Sequence, residues 1–314
     1  MKKNNPTLKD SLRVAYQNYR KGDLKTAETL CNKILSINSN YLETKILLAS
    51  ISAKEKNYIR AKQLLNEAID IEPNNVTILN NLGTACKELG ELKNAIDYYK
   101  KTIQIDPNNA NVHYNLGAAY YNLKQLKDAK SHLQKASELQ PNFALPFLIL
   151  GNICADLKEY ENAISNYQKA IDKNYKLASA HNNLGLVFRT LNDFKNAISC
   201  YEKAIEIKKD NAGAHHNLAQ ALKESGEFNK AIKSHEMAIK YEPENLIHYF
   251  YLSYLKEDIL DIDLKNKIEK IIRKNNTTNN NIAYGNYLLS KYEQKTKNYE
   301  KELNFLIKGH QFYF

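Results

Sequence analysis

The chain has 314 residues, of which 43% are hydrophobic and 25% are charged, and its formal net charge is +10 at pH 7. This composition excludes a wholly disordered chain and permits a sizeable buried core. Residues 1–7 form a polar N-terminal tail without the apolar segment of a targeting signal. The most apolar stretch, 143–155, is interrupted by Pro146 and Gly151 and is shorter than the roughly 20 residues of a membrane helix. We therefore predict a cytoplasmic protein without membrane insertion.

From residue 8 onward the sequence repeats every 34 residues without insertion or deletion. The predicted units are 8–41, 42–75, 76–109, 110–143, 144–177, 178–211 and 212–245. Each unit holds two stretches with apolar residues at helical spacing, joined by a short turn. The eighth position is always glycine or alanine and the twentieth is always alanine, and these small residues let two antiparallel helices approach closely. Each unit is therefore predicted to be a helical hairpin that stacks on its neighbours.

The order of Leu-Gly, a later alanine and a terminal proline resembles the tetratricopeptide repeat (TPR). The resemblance covers residues 8–245. It implies an all-α TPR helix-hairpin solenoid, a right-handed superhelix with a C-terminal helical extension, whose first helices line a concave groove for a protein or peptide partner. The chain departs from the family at the fourth position, where the usual tryptophan is replaced by Ser11, Lys45, Leu79, His113, Phe147, His181 and His215.

After residue 245 the repeat pattern fades, and three further segments are predicted. These are capping helices over 246–274, a polar linker over 275–281 and a helical hairpin connector over 282–314. The segment from Asp261 onward is similar to the connector between repeats and catalytic domain in bacterial TPR-containing sulfotransferases. That resemblance implies a following domain that binds 3′-phosphoadenylyl sulfate, so we expect the natural product to continue past Phe314. The alternative, that the terminal aromatic residues fold back on the 262–272 helix and complete the chain, stays open.

Catalytic motifs are missing from the sequence. The ten glycines form no phosphate-binding loop, and the histidines and cysteines show no metal-ligand spacing. We therefore predict that this chain is not an enzyme and uses no cofactor and no metal. Sulfotransferase activity is expected only of a product that continues beyond it.

Asparagine recurs at the sixth position of the units, in Asn81, Asn115, Asn183 and Asn217. An amide offers an acceptor and two donors, so a row of amides can pair with the backbone of an extended peptide. The row resembles the asparagine ladder in the repeat arm of O-linked N-acetylglucosamine transferases. Asparagine is also an ordinary helix-surface residue, and that interpretation stays open.

Further groove contacts are predicted from neighbouring positions of the first helices. They comprise Tyr114, Tyr121, Asn152, Arg189, His216 and Gln220, with Tyr16 and Tyr19 at equivalent positions. Because most lysines fall in second helices and turns, a nucleic-acid partner is not expected. The sequence thus favours a protein-protein interaction scaffold that forms the substrate-recruiting part of a TPR-sulfotransferase. The alternatives are a free-standing TPR adaptor and the repeat arm of a glycosyltransferase.

Overall fold

The computed structural model describes residues 7–313, which form helices and turns with no strand among them. The all-α prediction is therefore confirmed. The predicted N-terminal tail, apart from Thr7, and the terminal Phe314 lie outside the described residues. The chain divides into two compact units, Met1–Ile153 and Cys154–Phe314, called unit 1 and unit 2 below.

The helices of unit 1 are α1 (Leu8–Lys21), α2 (Leu24–Ile37), α3 (Leu42–Lys54), α4 (Tyr58–Ile69), α5 (Val76–Glu88), α6 (Leu92–Ile105), α7 (Ala110–Asn122) and α8 (Leu126–Leu139). Helix α9 (Ala144–Asp156) contains the division between the units. Unit 2 continues with α10 (Tyr160–Lys173), α11 (Ala178–Thr190), α12 (Phe194–Ile207), α13 (Ala212–Glu224), α14 (Phe228–Tyr241), α15 (Leu246–Leu252), α16 (Ile262–Ile272), α17 (Asn279–Lys295) and α18 (Tyr299–Tyr313).

The odd-numbered helices from α1 to α13 begin at the first position of each predicted unit. Asparagine immediately before three of them acts as an N-cap. The side chain of Asn75 accepts from the Ile78 N–H, that of Asn109 from Val112, and that of Asn211 from Ala214. These bonds satisfy backbone donors of the first turn that have no partner within the helix. The caps thus fix where these three first helices start.

The turn inside each hairpin places its fifteenth residue in the left-handed region, with φ between 60° and 87°. The residues are Gly22, Lys56, Gly90, Lys124, Lys158, Asn192 and Gly226. Glycine adopts this conformation without steric cost. The four other residues, three lysines and one asparagine, adopt the same conformation although each has a Cβ, so the geometry of the hairpin imposes it.

Close approach of the two helices in a hairpin depends on the eighth position. A Cβ at Gly83 would lie 2.5 Å from the Tyr99 ring, and one at Gly185 would lie 2.7 Å from the Tyr201 ring. The alanines at the twentieth position are at most 1% exposed. Large side chains of second helices therefore fill the space that small residues of first helices leave.

Four junctions between successive hairpins share a hydrogen bond, which we call the carbonyl staple. In it, a side chain at the fourth position donates to the backbone carbonyl six residues earlier. His113 Nε2 lies 3.0 Å from the Pro107 oxygen, and equivalent bonds join His181 to Tyr175 and His215 to Lys209, also at 3.0 Å. The Tyr249 hydroxyl makes the same contact with Pro243 at 3.1 Å. The register therefore extends into α15, although the sequence pattern fades there.

The C-terminal helices pack around Gly285 of α17. A Cβ at this glycine would lie 2.5 Å from Ile272 and 2.9 Å from Leu246, so α17 sits directly against both α15 and α16. The segment predicted as a linker over 275–281 is partly helical, because α17 already begins at Asn279. The side chain of Thr278 accepts from the Asn281 N–H and starts the helix there.

Candidate functional site

The predicted asparagines of unit 1 lie half-buried on two neighbouring first helices, Asn81 on α5 and Asn115 on α7. Asn115 Nδ2 donates to Asn80 Oδ1 at 3.2 Å. The bond therefore joins the sixth position of one repeat to the fifth position of the repeat before it. Sequence reasoning had singled out only the sixth position and missed Asn80.

Unit 2 repeats this arrangement. Asn217 Nδ2 on α13 donates to Asn182 Oδ1 on α11 at 2.9 Å, and Asn182 Nδ2 donates to Asn183 Oδ1 at 3.2 Å. The residue that the sequence analysis missed here is Asn182. The Asn-Asn dipeptides at 80–81 and 182–183 were the available signal in the sequence, because both begin at the fifth position of a 34-residue repeat. We call Asn80–Asn115 and Asn182–Asn217 the amide pairs.

A cavity of about 400 Å³ lies beside Asn81 in unit 1. Its walls are mostly apolar and include Ala53, Tyr19 and Tyr58. Lys54 Nζ lies 4.1 Å from the centre of the Tyr19 ring, a cation–π distance. Burial raises the pKa of Tyr19, so its hydroxyl stays protonated at neutral pH. Of the cavity residues only Tyr19 and Asn81 were expected at the groove from sequence.

Tyr114 and Tyr121, two of the four tyrosines predicted for the groove, have different neighbours. Tyr114 is half-buried with its ring centre 5.1 Å from that of Phe143, and burial raises its pKa. The Tyr121 ring has Lys124 Nζ 5.3 Å from its centre. Asn152 on α9 is half-buried. Tyr114 therefore packs against an aromatic ring, and the Tyr121 ring lies beside a positive charge.

The remaining predicted residues lie in unit 2. Arg189 Nε on α11 pairs with Glu224 Oε2 on α13 at 3.3 Å. Gln220 is only 6% exposed, so it offers a partner far less surface than the sequence pattern predicted. His216 packs against two other histidines, with ring centres 5.3 Å from His235 and 5.2 Å from His248. The sequence analysis did not foresee this cluster, because its three members come from three helices.

The fold and these surfaces define a class of protein, a stack of helical hairpins that presents polar amides and tyrosines from its first helices. Family models of the tetratricopeptide repeat match residues 83–124, 151–191, 185–226, 110–143 and 214–247. A model described as anaphase-promoting complex, cyclosome, subunit 3 matches residues 20–102. The chain belongs to the tetratricopeptide-repeat family.

Three similar proteins illustrate the relationship. UDP-N-acetylglucosamine–peptide N-acetylglucosaminyltransferase of Caenorhabditis elegans is 32% identical over 89 residues, which are 28% of this chain and 8% of that protein. The chain thus spans a small fraction of that relative. Yeast Tom70 has a TM-score of 0.67 at 20% identity over 93% of this chain and 66% of its own. Pseudomonas aeruginosa pilF has a TM-score of 0.60 at 21% identity, and the match covers 68% of this chain and 97% of that chain. The two structures show a shared fold.

Among residues 7–313, every helix is too short or too polar to cross a lipid bilayer.

Proposed function

We propose that the chain is a protein-interaction scaffold in which each unit binds an extended segment of a partner on its first helices. The observation that carries the proposal is the presence of two amide pairs, Asn80–Asn115 in unit 1 and Asn182–Asn217 in unit 2. Membership of the tetratricopeptide-repeat family supports a protein or peptide partner. The similarity to a transferase whose name specifies a peptide substrate supports the same class.

An amide pair is suited to holding a peptide backbone. The bond to Asn80 uses one N–H of Asn115 and orients its side chain, while its Oδ1 and second N–H remain for a ligand. A peptide unit has one donor and one acceptor, which match the two free groups. Because the side chain is already oriented, binding loses less conformational entropy. Backbone recognition of this kind tolerates varied partner sequences.

The cavity beside Asn81 adds a place for a side chain of the same peptide. Its apolar wall of Ala53, Tyr19 and Tyr58 suits an apolar or aromatic group. Alternate side chains of an extended peptide point to opposite sides, so one can enter the cavity while the backbone contacts the amides. Unit 1 would then combine backbone recognition with one side-chain preference.

Replacing both sixth-position asparagines of unit 1, or both of unit 2, by alanine is expected to weaken peptide binding by that unit. Each lost hydrogen bond costs about 1 kcal/mol, so Asn81→Ala/Asn115→Ala should raise Kd roughly 30-fold. Asn183→Ala/Asn217→Ala tests unit 2 in the same way. Peptides selected from a random displayed library against the whole chain supply the ligands, and calorimetry measures Kd.

Two exposed asparagines on second helices, Asn66 and Asn162, serve as matched controls. Asn66→Ala/Asn162→Ala should leave Kd unchanged. Asn80→Ala should weaken binding by less than the double variants, because it removes only the group that orients Asn115. If the variants at the sixth-position asparagines and the control variant bound peptide with equal affinity, the result would contradict the amide mechanism.

A second proposal concerns α18, which presents Tyr299, Leu303 and Ile307 on one face at 66%, 59% and 48% exposure. We propose that residues 246–314 are a connector whose exposed apolar face packs against a following domain, as the resemblance to TPR-sulfotransferase connectors implies. The repeat arm of a glycosyltransferase and a free-standing adaptor are the alternatives. Sequencing the intact gene past the codon for Phe314 distinguishes them. An in-frame sulfotransferase or glycosyltransferase domain identifies the class, and an immediate stop codon contradicts the connector.

A further inference from the structure

Three histidines of unit 2 converge from consecutive helices: His216 on α13, His235 on α14 and His248 on α15. His216 Nδ1 and His248 Nδ1 are 3.3 Å apart, so one ring donates to the other. The ring centre of His235 lies 5.3 Å from that of His216. Tyr251 closes the group, with its ring centre 5.2 Å from His216 and 6.3 Å from His235. We call these three residues the histidine cluster.

His235 is fully buried, and neither of its ring nitrogens has a hydrogen-bond partner. Buried polar groups without partners are rare and destabilising. The equivalent position of the six other hairpins is filled by Cys31, Leu65, Tyr99, Leu133, Tyr167 and Tyr201, all at most 2% exposed. An apolar or aromatic residue therefore fits this place, and packing alone does not account for a histidine.

The charged groups around the cluster act on its protonation in both directions. Arg189 of α11 acts on His216, and Lys223 of α13 acts on His235; both are positive. Glu242, in the turn before α15, is the carboxylate facing the cluster, and its Oε2 accepts from His248 Nε2 at 3.2 Å. Burial lowers the pKa of His216 to about 4 and that of His235 to about 3. Burial also lowers the pKa of His248, although Glu242 acts in the opposite direction.

We propose that the histidine cluster is a proton-operated latch that joins α13, α14 and α15 at neutral pH and opens when the medium becomes mildly acidic. Among the described residues no group of His, Cys, Asp and Glu side chains is arranged to hold a metal ion. We therefore infer that the cluster responds to protons. Opening would separate α15 from α13, the helix that carries Asn217. The latch does not depend on the proposed peptide binding.

The direction of the pH effect follows from the lowered pKa values. An exposed histidine titrates near pH 6.5, so above that pH both closed and open clusters are neutral and the latch is unaffected. Below pH 6.5 the open cluster takes up protons, while His216 and His235 of the closed cluster stay neutral to a lower pH. At pH 5.0 His216 and His235 each shift the equilibrium toward the open state about 30-fold. The pKa of Glu242 is itself lowered, first by its hydrogen bond from Asn245, so its negative charge persists in this range.

Hydrogen exchange of the whole chain at pH 7.5 and pH 5.0 tests the latch. Protection factors, which correct for the intrinsic exchange rate, should fall about 30-fold or more in α13 and α15 at pH 5.0. Helices α5 and α6 of unit 1 are the internal reference and should change much less. His235→Leu introduces the residue that other hairpins have at the equivalent position. This variant should reduce the pH-dependent fall in protection by about 30-fold. His310→Leu, at an exposed residue of α18 outside the cluster, is the matched control and should leave the pH-dependent fall unchanged.

Equal protection of α13 and α15 at both pH values would overturn the proposal, as would an unchanged fall in His235→Leu. A second measurement requires no variant. Imidazole NMR signals of the folded chain should show no titration of His216 and His235 above pH 6. Titration of either ring with an ordinary pKa would also overturn it.

Discussion

Gly185→Ala is expected to destabilise unit 2 by about 1–2 kcal/mol. The added Cβ would lie 2.7, 2.9 and 3.0 Å from three atoms of the Tyr201 ring. Three contacts this short put the overpacking cost in the upper part of the usual range of about 1–3 kcal/mol, at about 2–3 kcal/mol. The gain of about 1 kcal/mol from replacing a helical glycine reduces the net loss to about 1–2 kcal/mol. Urea unfolding followed by circular dichroism measures the change in free energy of unfolding.

Gly213→Ala is the matched control, because Gly213 is an exposed residue of α13 whose Cβ would meet nothing closer than 3.5 Å. This variant should be more stable than wild type by up to about 1 kcal/mol. Adding Tyr201→Leu to Gly185→Ala should recover part of the loss, since Ala49 and Leu65 already form the same combination in a buried cluster of unit 1. Equal effects of alanine at Gly185 and Gly213 would contradict the packing argument.

Lys265→Met is expected to lower the stability of the C-terminal helices by about 3 kcal/mol. Lys265 Nζ on α16 contacts Glu293 Oε1 on α17 at 2.6 Å, and the Glu293 side chain is only 3% exposed. The hydrogen bond to Glu293 raises the pKa of Lys265. Removing one partner of a buried ion pair leaves the other charge without compensation, which costs about 3–5 kcal/mol. The urea unfolding midpoint of unit 2 reports the effect.

The double variant Lys265→Met/Glu293→Leu should regain most of this loss, because an apolar pair can replace a buried ion pair at little cost. Lys203→Met supplies a comparison, since Lys203 and Glu206 form a pair at 2.8 Å whose side chains are 60% and 70% exposed. That change should leave the unfolding midpoint as it is in wild type. If Lys265→Met and Lys203→Met changed the unfolding midpoint equally, the prediction that the buried ion pair contributes more to stability would be wrong.

The hairpins could be predicted from sequence because their determinants lie within one repeat. Small residues at the eighth and twentieth positions, such as Gly185 and Ala197, and a helix-ending proline recur at fixed spacing. The start of α17 at Asn279 was missed, because a run of asparagines is typical of a linker while Thr278 supplies a helix cap.

The candidate sites could be predicted only in part. Asn115 was found by its recurrence, but its partner Asn80 lies 35 residues earlier, at a different repeat position. The histidine cluster joins His216, His235 and His248 from three helices, and no spacing in the sequence identifies such a group. Gln220 follows the groove pattern yet is buried. Contacts between repeats therefore decide which surface residues remain available.

The carbonyl staple gives the stack uneven cooperativity. Unfolding in repeat proteins propagates between nearest neighbours, so the free energy of each interface sets how far a local opening spreads. The interfaces at His113, His181, His215 and Tyr249 carry the extra bond. Leu79 stands at the same position of the third hairpin and has no group to donate. An opening that starts in α1–α4 would thus stop most readily at this interface, before it reaches the Asn80–Asn115 pair.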